Sequence, residues 1–191
     1  MNVYLKSPDH YESSLSAEYV DQYYRKVKEL VSWYLKSSGT TILDLCSGTG
    51  VVAALLTDLR GITYVGIDIN RRFVQRAREK TTGCANFQYI ASDAVTFTVK
   101  DEFDIILMIN AYHHVQNHLK SALLKNAYAL LSAGGVMIVY ETAIPKFSSA
   151  QEFPAANREY YLKRIEWVKQ QKNVWIADQV KVVNGIDFYI R

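Results

Sequence analysis

Between residues 41 and 140 the hydrophobic period of the chain keeps switching between strand-like and helix-like. Short apolar runs of strand length, Thr41–Leu45, Ile62–Ile67, Phe87–Ala91, Phe103–Met108 and Val136–Tyr140, alternate with segments of helical spacing at Val51–Leu59, Arg71–Lys80 and His118–Ser132. Alternation of this kind implies crossover units and a mostly parallel sheet. Phe103–Met108 is almost continuously apolar, as a strand covered on both faces must be. The expected fold class is therefore α/β, a doubly wound sheet with five parallel strands and helices on both faces.

The flanks read differently. Val20, Tyr24, Val27, Val31 and Tyr34 recur at helical spacing and predict a helix over Ala17–Leu35, capped by Ser16. Gly134-Gly135 is expected to end the helix before the fifth strand with a left-handed cap. Thr142–Pro154 reads as loop and Asn157–Gln171 as helix. Val174–Val183 and Ile186–Ile190 read as a C-terminal antiparallel hairpin turning at Asn184-Gly185, because both turn positions of such a hairpin need positive φ. The 191 residues, 49% of them hydrophobic, suit one domain: a helical N-terminal part (1–39), a core (40–141) and a terminal part (142–191).

The chemistry begins at Asp44-Leu45-Cys46-Ser47-Gly48-Thr49-Gly50, between the first strand and its helix. Small residues let backbone approach a ligand, and a helix N-terminus offers free N–H groups. Gly48-Thr49-Gly50-Val51-Val52-Ala53 also satisfies a dinucleotide pattern, and a glycine turn with no ligand satisfies it equally. Asp68 ends the second strand 18 residues after Gly50, where an acid accepts both hydroxyls of a ribose. Three features favour a cationic adenosyl ligand over a pyrophosphate. Asp44 places a negative charge just before the loop. Cys46 stands where the tight dinucleotide turn wants glycine. Asp93, in Ser92-Asp93-Ala94 after the third strand, suits an adenine amino group.

These residues in this order resemble the class I S-adenosylmethionine-dependent methyltransferase family, of the small ubiquinone-methylase-like type. ILDLCSGTG is similar to the family's first motif, GIDIN to its second and ASDA to its third. FDIILMINAYHHV resembles the fourth-strand motif and LLSAGGVMIVYE the segment around the fifth. The match runs from Thr41 to Glu141; the departures are Cys46 at a usual glycine and Ser132-Ala133 where Lys-Pro is common. The resemblance implies a Rossmann-like fold, S-adenosylmethionine as cofactor, S-adenosylhomocysteine as product and no metal. It implies that Ser47, Gly48 and Gly50 pass the methionine part while Asp44 supports the loop. It further implies that Asp68 holds the ribose, Ile69 packs on adenine, Asp93 and Ala94 bind the adenine edge and Asn110 borders the sulfonium. In this family the N-terminal segment is often a lid, so Tyr11 in DHYESS becomes a cofactor contact. The last strand of the hairpin would insert beside the fifth.

On the acceptor side, Tyr112, His113 and His114 follow the fourth strand at the carboxyl edge of the sheet, where ligands of open α/β sheets bind. His113 and His114 are candidate bases, with loop packing as the alternative for each. Tyr140 and Glu141 end the fifth strand at the same edge. With Tyr112 they are candidate acceptor-binding residues, Glu141 for an amine or hydroxyl, with a solvated strand-end carboxylate as its alternative. Catalysis can rest largely on alignment, so a base is required only where the acceptor must lose a proton. Tyr160, Tyr161, Trp167 and Trp175 read as core rather than an acceptor pocket.

Composition narrows the partners. The net charge of +3 is dispersed, a weak footprint for nucleic acid, and Asn110-Ala111-Tyr112-His113 lacks the prolines of a nucleic-acid amino methylase. A small-molecule acceptor is expected, methylated on O, N or C. An RNA or protein methyltransferase and a non-catalytic cofactor-binding module are the alternatives. Cys46 and Cys84 form no CxxC pair, which argues against zinc. No run is long and apolar enough to span a bilayer, and MNVYLKSPDHYESS lacks a leader layout, so the cytoplasm is expected.

Overall fold

The computed structural model describes residues 7–13, 15, 23–141, 148, 149, 151, 152, 155, 158, 159 and 162. The chain divides into two units, Met1–Glu141 and Thr142–Arg191. In the second, residues 155, 158, 159 and 162 are helical and the Ser148 N–H donates to Glu152 Oε2 at 2.8 Å. The Asn184-Gly185 hairpin, most of the 157–171 helix and the Ser16 cap lie outside the described residues.

In the first unit five strands form one parallel sheet: β1 (Thr40–Leu45), β2 (Ile62–Asp68), β3 (Phe87–Ala91), β4 (Phe103–Ile109) and β5 (Leu131–Tyr140), in the order β3-β2-β1-β4-β5. β1 is central, pairing Asp44 with Gly66 of β2 on one side and with Leu107 of β4 on the other. Because the chain starts in the middle and then builds outward in both directions, the carboxyl end of β1 becomes the point where the winding reverses.

Successive side chains on a strand alternate faces, and the strands use this to build two cores. Ile42, Ile105, Leu107 and Ile109 join one cluster with Tyr24, Val27 and Val31 of α2 (Arg25–Trp33), with Val52, Ala53 and Leu56 of α3 (Val51–Leu56) and with Val74 and Ala77 of α4 (Arg71–Lys80), counting Tyr24 as the residue that caps α2. Leu43, Leu45, Ile106 and Met108 join the other with Leu123 and Ala127 of α5 (Asn117–Ala129). The connection from β3 to β4 is a turn rather than a helix. Its Ala94 and Phe97 are buried in the second core, and Asn126 of α5 donates to both their carbonyls, at 3.0 and 2.8 Å. A further short helix, α1 (Pro8–Glu12), precedes α2 in the chain and packs on α4.

The helix and strand periods locate these elements well, with two corrections. The helix predicted to reach Leu59 ends at Leu56. The expected left-handed cap at Gly134-Gly135 is not a helix end: α5 stops at Ala129 and Leu131 already pairs with Phe103. Three residues of β4, Phe103 to Ile105, are matched by six of β5, Leu131 to Val136, so the glycines accommodate an irregularity in the ladder. Gly134 takes φ +77°, and a Cβ on Gly135 would lie 2.9 Å from Ser132 O and 3.0 Å from Phe103 O.

Gly50 is required for a different reason. It caps α3 at φ +75°, and an added Cβ would come within 2.8 Å of Ala77 Cβ and 2.9 Å of its Cα. Gly83 has φ +92° with open space where its Cβ would be. Gly83→Ala should therefore cost the left-handed backbone penalty alone, about 1 kcal/mol, and Gly50→Ala at least about 2 kcal/mol because overpacking against α4 adds to it. Urea unfolding of both variants measures the difference.

Candidate active site

The glycine loop is held from below by backbone and from the side by a carboxylate. Ser47 N–H donates to Ile67 O at 2.8 Å, and Gly48 N–H donates to Asp68 Oδ2 at 2.9 Å. The other oxygen of Asp68, Oδ1, accepts from Asn70 N–H at 2.8 Å, and Asn70 in turn caps α4 by accepting from Arg72 N–H at 3.0 Å. One side chain thus joins the loop after β1 to the turn after β2. Cys46 adopts φ +63°, so the left-handed turn of the loop is made without the usual glycine. Gly48 adopts φ +58° with nothing within 4 Å of an added Cβ. Its bare face is open, whereas that of Gly50 is filled by Ala77. Ser47 Oγ is buried with no hydrogen-bond partner among the described residues, a condition that a ligand or water relieves.

The field at this edge is strongly negative. Asp44 is 2% exposed, and its Oδ2 accepts from the Tyr64 hydroxyl at 2.5 Å. Burial pushes the Asp44 carboxyl up to about 7, with the Tyr64 hydrogen bond opposing and the Asp68 charge assisting. Burial also raises Asp68, against the N–H groups of Asn70 and Gly48. The Cys46 thiol registers the whole crevice: burial, and then the charges of Asp68, Asp44, Asp93 and Glu141, push it up to about 12. Carboxylates at the ends of β1 and β2 and just past β3 and β5 thus share this edge of the sheet. A thiol so placed is a poor nucleophile.

Asp93 is exposed and Oδ1 accepts from Val95 N–H at 2.9 Å, so it shapes its own turn, while Ala94 beside it is buried. Ile69 is 45% exposed immediately after Asp68, an apolar surface left open at the same edge. The Tyr11 ring packs on Phe73 of α4 at 5.3 Å. Asp9 and Glu12 of α1 pair with Arg76, and Glu12 also pairs with Lys80 at 2.7 Å.

Past β4 the backbone turns sharply. Asn110 adopts φ +53°, its N–H donates to Tyr140 O at 2.7 Å, and Tyr112–His114 form a 3-10 turn. Glu141 organises this turn: Oε1 accepts from the N–H groups of Ala111 and Tyr112 at 2.7 and 2.5 Å, and Oε2 lies 2.7 Å from His113 Nδ1. Burial would raise Glu141, but the His113 contact and those two N–H groups outweigh it and hold the carboxyl below its usual range. His113 and His114 are both exposed, their ring centroids 3.9 Å apart. Tyr112 lies under Lys120, whose Nζ is 4.8 Å from the ring centroid. Tyr140 packs its ring 4.5 Å from Tyr23, whose hydroxyl donates to Tyr140 O at 3.0 Å.

The structure thus gathers Asp44, Ser47, Gly48 and Asp68 around one loop and Asn110, Tyr112, His113, Tyr140 and Glu141 around another. Sequence reading missed three contributors. Tyr64 has no motif that announces its bond to Asp44, although position 64 faces the same side of the sheet in register with Ile42, two residues before Asp44. Asn70 as the cap of α4 and Ser7-Pro8 as the start of α1 were legible, since a polar cap marks a helix start and a proline after it strengthens the signal at Ser7.

An open parallel sheet wound outward from β1, with a glycine loop at its reversal point, defines a Rossmann-like nucleotide-cofactor protein. The methyltransferase-domain family profile matches residues 42–135. The chain is 32% identical over 113 residues to the ubiquinone/menaquinone biosynthesis C-methyltransferase of Escherichia coli, covering 56% of this chain and 44% of that protein. It is 26% identical over 121 residues to the demethylmenaquinone methyltransferase of Staphylococcus epidermidis, covering 62% and 49%. The chain spans about half the length of these curated relatives. The S-adenosylmethionine-bound amino pentose methyltransferase of Micromonospora echinaspora has the same fold, with a TM-score of 0.59 and 19% identity over 78% of this chain and 60% of that one. Over residues 42–135 the chain thus carries a methyltransferase domain.

The elevated Asp44 carboxyl has a consequence for stability. Its folded value lies above its unfolded one, so between about 4 and about 7 the folded state holds a proton that the unfolded state has lost, and stability falls as pH rises through that window. Above it the folded protein carries a buried charge. Asp44→Asn should therefore raise stability at pH 8 by about 2–4 kcal/mol and have little effect at pH 3.5. Chemical denaturation at the two pH values checks the sign.

Proposed function

We propose that this chain is an S-adenosylmethionine-dependent methyltransferase acting on a small-molecule acceptor, and that the crevice at the carboxyl ends of β1 and β2 holds the cofactor. The observation that carries the reading is the pair of acids at the ends of β1 and β2 beside the glycine loop, Asp68 accepting from Gly48 N–H and Asp44 buried just before the loop. Acids so placed oppose the pyrophosphate of a dinucleotide and suit a ligand bearing an ammonium and a sulfonium. The local geometry fits such a ligand: Gly48 leaves a bare face in the loop.

In this reading Asp68 accepts the ribose hydroxyls with the lone pairs left by Gly48 and Asn70, and exposed Ile69 packs on adenine. Asp93 and Ala94 border the adenine edge, and Ser47, Gly48 and Gly50 shape the path of the methionine part with Asp44 beneath. Tyr11 acts from above, as part of an N-terminal lid. Asn110 borders the reacting centre, and Tyr112, Tyr140 and Glu141 lie on the acceptor side with His113 and His114. Bound there, S-adenosylmethionine supplies an activated methyl group and leaves as neutral S-adenosylhomocysteine. The residues need only hold the acceptor in line and exclude water. The names of the relatives support a small molecule as acceptor, since two act in quinone biosynthesis. We place the protein in the cytoplasm. Among the described residues no helix is long and apolar enough to cross a membrane.

Calorimetry tests the assignment. The protein should bind S-adenosylhomocysteine and not NAD; heat with NAD alone would overturn the reading. Asp68→Ala should weaken S-adenosylhomocysteine binding about ten-fold or more, since each bond to a charged acceptor contributes roughly 1.5–3 kcal/mol. Unchanged affinity with a lowered melting point would mean that Asp68 serves only the loop and the α4 turn.

A further inference from the structure

Glu141 is spent on the protein itself. Oε1 takes two backbone N–H groups and Oε2 takes His113 Nδ1, while the carboxyl group stays 21% exposed. An ionised carboxylate only accepts hydrogen bonds, so the proton of the neutral imidazole must sit on Nδ1. The lone pair is then on Nε2, and the His113 side chain is 50% exposed. A carboxylate that fixes the tautomer and orientation of a histidine, and stabilises the imidazolium that forms when it takes a proton, is a base-positioning arrangement. Both members flank the turn after β4, where Asn110 is strained into the left-handed region.

Resting on the methyltransferase reading above, we propose that His113 is the catalytic base for an acceptor carrying a phenolic or enolic hydroxyl, and that Glu141 is its positioning residue rather than an acceptor ligand. In the proton step the acceptor O–H bond breaks, its electron pair stays on oxygen and the proton bonds to Nε2. The imidazolium so formed is charge-paired to Glu141 and later returns its proton to solvent. The resulting phenolate or enolate is the nucleophile, at oxygen or at the ring carbon it activates; a ring carbon that takes the methyl group then loses its own hydrogen as a proton, which restores the aromatic ring. The class of acceptor follows from proton affinities: a phenol, near about 10, lies within a few units of an imidazole, near about 6.5, whereas an aliphatic alcohol is far less acidic. The hydroquinone-type ring in the name of a further relative, the 2-methyl-6-phytyl-1,4-hydroquinone methyltransferase of Synechocystis, belongs to this class.

The test has a structural and a kinetic arm on the full chain. Nitrogen-15 NMR of histidine-labelled protein with S-adenosylhomocysteine present should show His113 as the Nδ1–H tautomer, and Glu141→Gln should shift it towards Nε2–H. With labelled S-adenosylmethionine and 1,4-naphthalenediol as the probe acceptor, His113→Ala should lower kcat at least 100-fold with the KM for the cofactor within about two-fold. Free imidazole should restore part of that rate, which it would not do for a structural histidine. Glu141→Gln, which keeps an oxygen for the two N–H groups, should lower kcat about ten-fold without lowering the melting point. An Nε2–H tautomer in the wild type, a His113→Ala enzyme within three-fold of wild type, or no rescue by imidazole overturns the assignment. Wild type that binds S-adenosylhomocysteine but leaves the diol unmethylated overturns the acceptor class alone, and wild type that binds no S-adenosyl ligand overturns the methyltransferase reading beneath it.

Discussion

The Asp68 carboxylate is the tie on which the crevice depends. It collects the N–H of Gly48 from the loop after β1 and the N–H of Asn70 from the turn that opens α4, one on each oxygen. Parallel pairing of β1 with β2 brings these two turns side by side, with Leu45 opposite Ile67, but pairing alone does not orient them. The carboxylate does, and it is itself constrained, because it is largely buried and needs both donors to carry a charge there. The glycine loop keeps its open face at Gly48 only while this tie holds.

The same edge concentrates an energetic conflict. Asp44 sits 2% exposed with a tyrosine hydroxyl as its hydrogen-bond donor, and Asp68 adds a second charge nearby. Buried charge without a cation opposes folding, and such an arrangement persists at sites where a ligand supplies the missing charge. Cys46 and Asn110 add left-handed backbone at two non-glycine residues, one just past β1 and one just past β4. Strain and unbalanced charge therefore collect at the strand termini, while Ile42 and Leu43 of β1 and Ile105 to Met108 of β4 are buried among apolar groups on both faces.

Much of this architecture is legible without coordinates. The helix over Arg71–Lys80 and the strand over Phe87–Ala91 coincide with the sequence expectation because each is bounded by polar turns and carries one unambiguous period. The segment around Gly134-Gly135 was misread because two glycines after a helical run satisfy a helix cap and a strand irregularity equally; only the pairing of Leu131 with Phe103 decides between them. At the site, the strand-end acids and the glycines announced themselves through spacing, and Glu141 announced its position but not its partners.

What the sequence by itself determined is the alternation of periods, the glycine loop and the place of each acid along the chain, because these depend on local spacing and on turn chemistry. What only the tertiary structure decided is which groups meet. Tyr64 reaches Asp44, Gly50 is filled by Ala77 while Gly48 stays bare, and Glu141 closes on the turn at Ala111–His113 across the end of β4. Each of these is a contact between segments 20 or more residues apart, set by strand register and helix docking. Local sequence carries no record of such distances, since they are fixed by how whole elements pack and not by any residue's own conformational preference.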